Sequence, residues 1–464
     1  MAPMTIPALN GLHLLVAGLG KSGRSAVEFC RKQGATVSVS DAAQARPDDL
    51  AWLTEHGIAH EFGGHGREFC LGHDLILASP GVPHDLPILV EAKEAGIPVI
   101  GELALAPRYL RTPVIAITGT NGKTTVTTLI GDLLRAAGLN PFVGGNIGTP
   151  LTDYLLTEQT ADWLVLEVSS FQLDAAGTFR PEIGILLNLS PDHLDRYPSY
   201  DAYALAKLNL FAHQRPGDVA ILNADDLDTA RLTEGYPGLR QGWQERRCLH
   251  FGRGLGARPG AELTATTVEL KGKGLSGVDE SYPLRATALA SSPNLENAAA
   301  AILAVRMAGG AAAAIKQGLA TFTPLPHRMT VAAEVGGVRY INDSKATNIG
   351  AVQAALAAMD QPVILIAGGR DKGGDYLLMA GEVKSKVKAM LLIGEAKGQM
   401  AEVFSGMTRV EQMASLDEAV KRAHELALPG EVVLLSPACA SFDMFSGYVE
   451  RGQIFTELAL GLKG

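Results

Sequence analysis

One stretch of the sequence has the residue types and spacing of a phosphate-binding loop. The apolar run VIAIT, which predicts a buried strand, leads directly into a loop that opens a helical pattern and contains Gly119, Thr120, Asn121, Gly122, Lys123, Thr124 and Thr125. In such a loop, glycines let backbone N–H groups face a phosphate, the lysine reaches the terminal phosphates, and a threonine hydroxyl can ligate Mg²⁺. The spacing is a shortened GxxGKT form, because the residue where the full motif has glycine is Ile117. We predict a nucleotide phosphate site; the alternative is a glycine-rich turn before an ordinary helix.

Three further residues stand where a phosphate site would need them. Glu167 ends the apolar run WLVLE and His193 follows the run IGILLNLS, so both are expected at carboxyl ends of parallel strands, where ligands of open α/β sheets bind. Lys207 lies among apolar neighbours in the helical pattern DAYALAKLNLF. Each residue has an ordinary alternative: a Glu exposed at an edge strand, a structural His in a turn, and a Lys whose stem packs on a half-buried helix. These alternatives stay open on the residues alone.

A second glycine loop lies near the start of the chain. Its pattern GxGxxG follows the predicted strand HLLVA, and an aspartate ends the next predicted strand. This combination is typical of a nucleotide site, but the same turn can hold NAD or another diphosphate, or simply pack a helix on a sheet. The residues expected at this site are Ser22, Gly23, Asp41, Ser79 and Gly81. Two glycine loops in two regions predict two phosphate-bearing ligands.

The elements that must position these residues follow a βαβ pattern. Short β-branched or Leu-rich runs alternate with Ala-rich helical patterns, as expected for an α/β protein with parallel sheets. The length of 464 residues corresponds to roughly three domains. We predict a Rossmann-like domain at 1–107, a central P-loop ATPase-type domain with a parallel sheet at 108–324, and a Rossmann-like α/β domain at 325–464. Short strands in the Gly-rich stretch 252–284 suggest an inserted β element.

Composition excludes several classes of protein. With 47% hydrophobic and 19% charged residues, the chain matches a soluble globular protein. A net charge of -9 argues against a general binder of nucleic acid, so an anionic ligand must be held locally. The four cysteines form no CxxC pair, which indicates neither zinc nor a disulfide framework and fits a reduced, cytoplasmic setting. The sequence shows no export signal and no long apolar run, so we expect no membrane insertion.

Several motifs resemble those of the Mur ligases, the ATP-dependent amide-forming enzymes of peptidoglycan precursor synthesis. In chain order they are TGTNGKTT, GGNIG, LEVSSFQL, NLSPDHLDRY, AKLNLF, NLENAAAA and PHRM. The resemblance spans essentially the whole chain. Within the family, INDSKATN, AGGRDKGG and LLSPACASFDMF are most similar to the members that add D-glutamate. The sister ligases and folylpolyglutamate synthases usually have an Asp-Tyr-Ala-His type motif where this chain has NDSKATN.

The resemblance implies a mechanism with two steps. The L-alanyl carboxylate of UDP-N-acetylmuramoyl-L-alanine attacks the γ-phosphate of ATP, and the amine of D-glutamate attacks the resulting acyl phosphate. The implied catalytic residues are Lys123, Glu167, His193 and Lys207, of which Lys207 resembles the family lysine that becomes carbamoylated. Thr124, Glu167, His193 and Lys207 would serve Mg²⁺ ions. The implied ATP-binding residues are those of the loop at 119–125 with Asn294, Asn297, Arg328 and Asp343, and His327 lies near them.

The two other substrates are also assigned by resemblance. The UDP substrate would be bound by Asn146 together with the five residues named above for the first glycine-loop site. The D-glutamate pocket would contain Thr347, Lys372, Ser441 and Phe442. The chain departs from the commoner pattern where Thr120 and Thr124 replace serines and where Tyr448 replaces a Phe. The implied partners are UDP-N-acetylmuramoyl-L-alanine and D-glutamate, and we expect a monomer that binds no nucleic acid.

Other functions use fewer of these features. A Rossmann oxidoreductase would use the first glycine loop for NAD but would not need a P-loop lysine in a second domain. A nucleotide-dependent switch or scaffold would use the P-loop but not an amino-acid pocket in a third domain. Another Mur ligase with a different amino acid is the alternative nearest to the prediction.

Overall fold

The structure is a computed structural model of the chain. It describes residues 6–194, 196–235, 247–272, 275 and 280–462. Asp195 of the NLSPDHLDRY motif and part of the predicted β insertion lie outside the described residues. The described strands form three sheets, one after another along the chain. None of the described helices is long and apolar enough to span a membrane.

The first sheet is parallel and has the order β3-β2-β1-β4-β5. Its strands are β1 (His13–Ala17), β2 (Thr36–Asp41), β3 (Ala59–Phe62), β4 (Leu75–Ala78) and β5 (Val99–Ile100). Its helices are α1 (Lys21–Lys32), α2 (Pro47–Glu55), α3 (Arg67–Leu71) and α4 (Pro87–Glu94). Strand β1 has the bounds predicted from the run HLLVA. Strand β3 is not predicted, because its sequence AHEF has no apolar run and none of its residues is buried.

The central sheet has the order β14-β13-β12-β11-β10-β9-β6-β8-β7. Its strands are β6 (Val114–Thr118), β7 (Pro141–Gly145), β8 (Trp163–Glu167), β9 (Ile183–Leu186), β10 (Val219–Asn223), β11 (Arg247–Gly252), β12 (Gly260–Thr264), β13 (Thr267–Lys271) and β14 (Glu280–Pro283). The pairs from β7 to β12 are parallel, as predicted, whereas β12, β13 and β14 pair antiparallel at one edge. These edge strands are the described part of the predicted insertion.

Helices cover both faces of the central sheet. After the 3-10 turn Glu102–Leu105 and α5 (Ala106–Tyr109) come α6 (Lys123–Ala136), α7 (Leu151–Leu155), α8 (Ser170–Asp174), α9 (Tyr200–Leu208) with the 3-10 turn Asn209–Phe211, α10 (Leu227–Gly235), α11 (Asn294–Met307) and α12 (Ala312–Thr321). Helix α11 is alanine-rich and almost wholly buried, because it packs between α6 and strands β9 to β13. A helix that is apolar on all sides is expected to be buried in this way.

The third sheet has the order β15-β16-β20-β17-β18-β19, with only the β15–β16 pair antiparallel among its described strands. Its strands are β15 (Thr330–Val335), β16 (Val338–Asn342), β17 (Val363–Gly368), β18 (Val387–Ile393), β19 (Arg409–Gln412) and β20 (Val432–Leu435). Its helices are α13 (Ile349–Ala357), the 3-10 turn Tyr376–Met379, α14 (Ala380–Lys386), α15 (Lys397–Phe404), α16 (Leu416–Leu426) and α17 (Tyr448–Gly461). The α/β fold class is confirmed, while the domain limits near 107 and 324 stay predictions.

Helix α1 fixes the first sheet against the central one. Three of its side chains bond to the segment 148–156, in the pairs Lys21 Nζ–Gly148 O at 2.5 Å, Ser25 Oγ–Thr152 Oγ1 at 2.7 Å and Lys32 Nζ–Leu156 O at 2.9 Å. These bonds join the first sheet's region to the segment that follows β7.

Candidate active site

The loop at 119–125 lies between β6 and α6, as the sequence predicts. Gly122 has φ +85°, and a Cβ there would lie 2.5 Å from Asn297 Oδ1, so glycine is required by both its backbone and its neighbour. Asn188, just after β9, holds the loop: its Oδ1 accepts from the backbone N–H of Asn121 at 2.8 Å, and its carbonyl accepts from that of Thr120 at 3.0 Å. The loop is thus braced by the neighbouring strand.

Two lysines meet behind this loop. Lys123 Nζ donates to the carbonyls of Gly119 and Thr120, both at 2.8 Å, and Lys207 Nζ donates to the same Gly119 carbonyl at 2.9 Å. Lys207 is 2% exposed, and its Nζ lies 4.6 Å from the ring centroid of Tyr203, whose hydroxyl donates to Thr120 Oγ1 at 3.1 Å. Burial, and then the charge of Lys123, lower the pKa of Lys207 well below its ordinary value. Lys207 is therefore not the surface lysine of the ordinary alternative.

Glu167 is also buried rather than exposed at an edge. It ends β8, which is flanked by β6 and β7, and is 3% exposed. Its Oε1 accepts from Asn146 Nδ2 at 2.9 Å, whereas its buried Oε2 has no hydrogen-bond partner. A buried carboxylate oxygen of this kind is costly unless a donor or a cation meets it.

His193 lies in the segment after β9, beside a residue that the sequence analysis did not single out. Its neighbour Asp192 has Oδ1 at 3.5 Å from Lys372 Nζ, and Asp192 Oδ2 accepts from Asn348 Nδ2 at 3.1 Å. Burial raises the pKa of Asp192, but the charges of Lys372, His193 and Lys123 and the hydrogen bond from Asn348 together hold that pKa below its ordinary value. Asn348 and Lys372 belong to the third sheet's region, so Asp192 joins two parts of the chain.

These groups line one cavity of about 310 Å³, here called the central cavity. It is bounded by Lys123, Thr124, Asn146, Glu167, Asp192, His193, Lys207, Arg328, Lys345, Thr347, Asn348 and Lys372, with Tyr203 and the loop at 120–122 among its other walls. All four predicted catalytic residues are therefore brought together. The cavity holds five Lys or Arg side chains against two carboxylates, which suits anionic ligands.

A second cavity, of about 320 Å³, shares Asn121, Gly122, Arg328 and Lys345 with the central cavity. We call it the nucleotide cavity, because its walls include the predicted ATP residues Thr125, Asn294, Asn297, Arg328 and Asp343. Asp343 Oδ2 accepts from Ser436 Oγ at 3.0 Å, and burial raises the pKa of Asp343 to about 7. His327 lines neither cavity; its Nδ1 lies 3.0 Å from Asn342 Nδ2.

A third cavity, of about 580 Å³, lies at the carboxyl ends of β1, β2 and β4. We call it the first-sheet cavity; it is lined by Ser22, Gly23, Asp41, Ser79 and Gly81, and by Asn146, which it shares with the central cavity. A Cβ at Gly23 would lie 1.9 Å from the Gly18 carbonyl, so only glycine lets α1 begin this close to the turn. All six residues predicted for the UDP substrate are thus in one place. His65 also lines this cavity, although nothing in the sequence pattern marks it.

The predicted D-glutamate residues are only partly brought together. Thr347 and Lys372 line both the central cavity and an adjoining space of about 20 Å³, whose walls include Asp371, Tyr376 and Ala438. Ser441 and Phe442 line none of these four spaces; Ser441 is buried and Phe442 is 66% exposed.

The fully buried Arg451 holds the backbone beneath this region. Its guanidinium donates to the Ser344 carbonyl at 2.8 Å and to the Cys439 carbonyl at 3.3 Å. It thereby ties the segment that leads to Thr347 to the segment that leads to Ser441.

The sequence analysis did not single out two residues of the central cavity, although their positions in the sequence could have indicated them. Asp192 and Lys345 both lie inside motifs quoted for the family resemblance, but residue type did not distinguish a site role from an exposed charge. The structure does so for Lys345: it is partly buried, its Nζ lies 4.0 Å from the ring centroid of Tyr448, and burial lowers its pKa to about 8.

The central cavity offers few protein ligands for Mg²⁺. No group of three His, Cys, Asp or Glu side chains able to hold a metal occurs within the part of the chain that the structure describes. Mg²⁺ at phosphate sites usually takes one or two carboxylates and completes its shell with water and phosphate oxygens. The unpartnered Oε2 of Glu167, beside the hydroxyl-bearing Thr124 in the same cavity, fits that requirement.

Three family models match the chain in succession. They are described as "Mur ligase MurD-like, N-terminal domain" over residues 12–101, "Mur ligase middle domain" over 117–305 and "Mur ligase, glutamate ligase domain" over 327–439. Their order and extents correspond to the three sheets.

Relatives of similar length match along nearly the whole chain. The chain is 41% identical to the UDP-N-acetylmuramoylalanine--D-glutamate ligase of Syntrophotalea carbinolica, covering 98% of this chain and 99% of that protein. It is 42% identical to the ligase of the same name from Acidobacterium capsulatum, covering 98% of both.

Solved structures share the fold. A pseudomurein peptide ligase type C from Methanothermus fervidus matches with a TM-score of 0.60 at 19% identity, over 97% of this chain and 100% of that one. MurF from Acinetobacter baumannii also matches with a TM-score of 0.60, at 16% identity, over 98% and 91% of the two chains.

Proposed function

The chain belongs to the Mur ligase family, and we propose that it is the ATP-dependent ligase that joins D-glutamate to UDP-N-acetylmuramoyl-L-alanine in peptidoglycan precursor synthesis. The observation that carries this proposal is that three cavities adjoin one another. The first-sheet cavity and the nucleotide cavity each share walls with the cationic central cavity, as a reaction between a UDP-linked carboxylate and ATP requires. The relatives named above supply the choice of amino acid.

In this proposal the substrate carboxylate and the γ-phosphate of ATP meet in the central cavity. The carboxylate attacks the γ-phosphate, ADP leaves, and the acyl phosphate is then attacked by the amine of D-glutamate, with release of phosphate and a proton. Anionic groups must approach one another in both steps, so charge stabilisation is the main catalytic need. Lys123, Lys345 and Arg328 line the cavity where that charge develops.

The nucleotide cavity would hold ATP so that its phosphates reach this point. The loop at 119–125 would bind phosphate oxygens, while Asn294 and Asn297 would contact the adenine end and Asp343 the ribose. Arg328 borders both cavities and is suited to bridge phosphate groups.

The UDP substrate would enter through the first-sheet cavity. Its diphosphate would lie at the N-terminus of α1, near Ser22 and Gly23, where backbone N–H groups favour anions. Asn146, which lines both cavities, would contact the sugar end of the substrate. The L-alanyl carboxylate would then extend into the central cavity, which Glu167 also lines.

D-Glutamate would bind between the central and third sheets. Lys372 is the cation proposed for its side-chain carboxylate, with Thr347 beside it. Ser441 and Phe442 are proposed for the same pocket, at the end of the segment held by Arg451.

The proposal includes Mg²⁺ and a carbamoylated Lys207. Glu167, with Thr124 and His193, would hold Mg²⁺, which would neutralise phosphate charge when bound. Lys207 would react as a neutral amine with CO₂, giving a carbamate and a proton; its lowered pKa supports this step, since only the neutral amine is nucleophilic. The carbamate would add anionic oxygen ligands beside Glu167.

An amino-acid panel tests the proposed function. Phosphate release from ATP is measured with UDP-N-acetylmuramoyl-L-alanine and each of D-glutamate, L-glutamate, L-alanine and a diamino acid. We expect fast turnover only with D-glutamate and none when either co-substrate is omitted. Faster turnover with another amino acid would assign the chain to a different Mur ligase reaction.

We also propose that the protein acts as a monomer in the cytoplasm and binds no nucleic acid. Size-exclusion chromatography with light scattering should give one mass near 48.8 kDa, and a stable dimer would contradict the monomer.

A further inference from the structure

His65 lies at one end of the first-sheet cavity, at the carboxyl side of the edge strand β3. The cavity's opposite end is lined by Gly145, Asn146 and Gln172 of the central sheet's region. Because β3 is the outermost strand in the order β3-β2-β1-β4-β5, the end with Asp41, Ala42 and His65 is the end farthest from the central cavity.

The loop that carries His65 is held by several hydrogen bonds. The N–H of Gly63 donates to the carbonyls of Asp41 and Ala43, both at 3.0 Å, and the N–H of Gly66 donates to Glu61 Oε2 at 2.7 Å. The loop is thereby tied to the end of β2, next to Asp41. This attachment gives His65 a defined place in the cavity wall.

The imidazole of His65 is itself anchored at one edge. Its Nδ1 lies 2.7 Å from the hydroxyl of Ser40, a fully buried residue of β2. Since Nδ1 and Nε2 lie on different sides of the ring, this bond leaves Nε2 for a ligand.

The other polar side chain at this end is already engaged. Asp41 Oδ2 accepts from the N–H of Leu19 at 2.6 Å, and its Oδ1 accepts from that of Ala43 at 2.8 Å. A carboxylate can only accept, so Asp41 suits donors such as ribose hydroxyls or the N3–H of uracil, whereas the carbonyl oxygens of the pyrimidine need a donor. Imidazole Nε2 can complement the polar edge of a base in either tautomer.

We propose that His65 binds the uracil base of the UDP substrate. The diphosphate belongs near the N-terminus of α1 and the sugar end near Asn146, so the nucleoside extends to the opposite end, where His65 lies. This proposal rests on the proposed function, because it presupposes a uridine nucleotide in the first-sheet cavity. It adds a base-binding residue that neither the motifs nor the glycine loop indicates.

The test compares UMP with UDP on the full chain by isothermal titration calorimetry. His65→Asn can keep a hydrogen bond to Ser40 but removes the atom at the Nε2 position. We expect its dissociation constants for UMP and UDP to rise by the same factor, about five- to tenfold, as for one lost hydrogen bond. The KM for the UDP substrate should rise similarly, while kcat and the KM for ATP stay unchanged.

His60→Asn is the matched control. His60 is a partly buried histidine of β3 whose Nδ1 also makes a hydrogen bond, to the Ile58 carbonyl at 2.9 Å, but it does not line the cavity. Its UMP and UDP affinities should equal those of the wild type. His65→Gln, whose amide can reach the Nε2 position, should restore most of the affinity and serves if His65→Asn does not fold.

Three results would overturn the proposal. Unchanged affinities in His65→Asn would make His65 a structural partner of Ser40. A loss that is larger for UDP than for UMP, and that shrinks with added salt, would show that His65 binds phosphate instead of the base. Wild-type protein that binds neither nucleotide would instead contradict the uridine site itself, and with it the proposed function.

Discussion

Lys123 and Lys207 donate hydrogen bonds to one backbone oxygen, the Gly119 carbonyl, from 2.8 and 2.9 Å. The two lysines lie on different helices, α6 and α9, and the carbonyl belongs to the loop between β6 and α6. Two amines crowded in a buried site disfavour a second positive charge, which is why Lys123 adds to burial in lowering the pKa of Lys207. The lowered pKa of Lys207 favours the neutral amine that the proposed addition of CO₂ requires.

Lys207→Arg is predicted to nearly abolish ligation while UDP-substrate binding persists. Arginine keeps a positive charge at this buried place and cannot form a carbamate. Labelling with ¹³C-bicarbonate should give a carbamate carbon signal in the wild type that is lost in the variant.

Lys316→Arg is the control for this substitution. Lys316 Nζ also lies over a tyrosine ring, 5.6 Å from the Tyr282 centroid, but it is outside the cavities described above. Its activity and carbamate signal should match the wild type. An active Lys207→Arg enzyme, or a fully active wild type without a carbamate, would leave Lys207 a structural residue.

Nucleotide affinity is predicted to fall as pH rises above 8. Burial lowers the pKa of Lys345 to about 8, so the free protein loses this positive charge at higher pH and must take up a proton when anionic ADP binds. Well above pH 8, the affinity for ADP should fall by at most about tenfold per pH unit. Titration calorimetry with ADP at pH 7, 8 and 9, in buffers of different ionisation enthalpy, measures both the affinity and the proton uptake.

The charge-retaining variant Lys345→Arg separates this lysine from other titrating groups. Its guanidinium stays protonated over the whole range, so the pH dependence above 8 should disappear. The same pH profile in both proteins would show that Lys345 is not responsible.

Asn348→Ser is predicted to weaken the contact between the central and third sheets without unfolding α13. Asn348 Nδ2 donates to Asn121 Oδ1 and Asp192 Oδ2, both at 3.1 Å, while its Oδ1 caps the helix by accepting from the N–H of Ala351 at 2.9 Å. Serine can keep the helix-capping hydrogen bond, but its shorter side chain cannot reach Asn121 and Asp192.

Small-angle scattering with an ATP analogue and the UDP substrate tests this prediction. The Asn348→Ser protein should be less compact than the wild type and should have a lower kcat. Asn348→Ala should lose about 1 kcal/mol more stability than the serine variant, because it also lacks the cap. Equal dimensions and rates would show that the Asn348 hydrogen bonds are not needed to hold the central and third sheets together.

Lys372→Gln is predicted to raise the KM for D-glutamate by about 10²-fold, because it removes the cation proposed for the side-chain carboxylate. The KM for the UDP substrate should change little. Lys388→Gln is the control: Lys388 Nζ lies 2.9 Å from Glu431, at a partly exposed place in the same region. Such a pair contributes about 0–1 kcal/mol, so activity should persist. An unchanged KM in Lys372→Gln would place the carboxylate elsewhere.

The fold class and the local chemistry could be predicted from the amino-acid sequence. Apolar runs such as Val114–Thr118 and the glycine loop after them depend on neighbours along the chain, so strand, loop and helix could be predicted together. Parallel strands share one edge for their carboxyl ends, so Glu167 and His193 could be expected to meet the loop. The sequence could not predict β3, because its partner β2, rather than its own apolar pattern, makes it a strand.

Which polar residues are buried, and which face each other, depends on how the three sheets and their helices pack together. Asp192, Lys345 and Asn348 have ordinary polar side chains, and they gain a role because α13 and its flanking loops pack against the segment after β9. His65 enters the first-sheet cavity because its loop is hydrogen-bonded to the end of β2, while Ser441 and Phe442 lie outside the described cavities. Burial and long-range contacts set these environments, and neither is encoded in residue type or in spacing along one element.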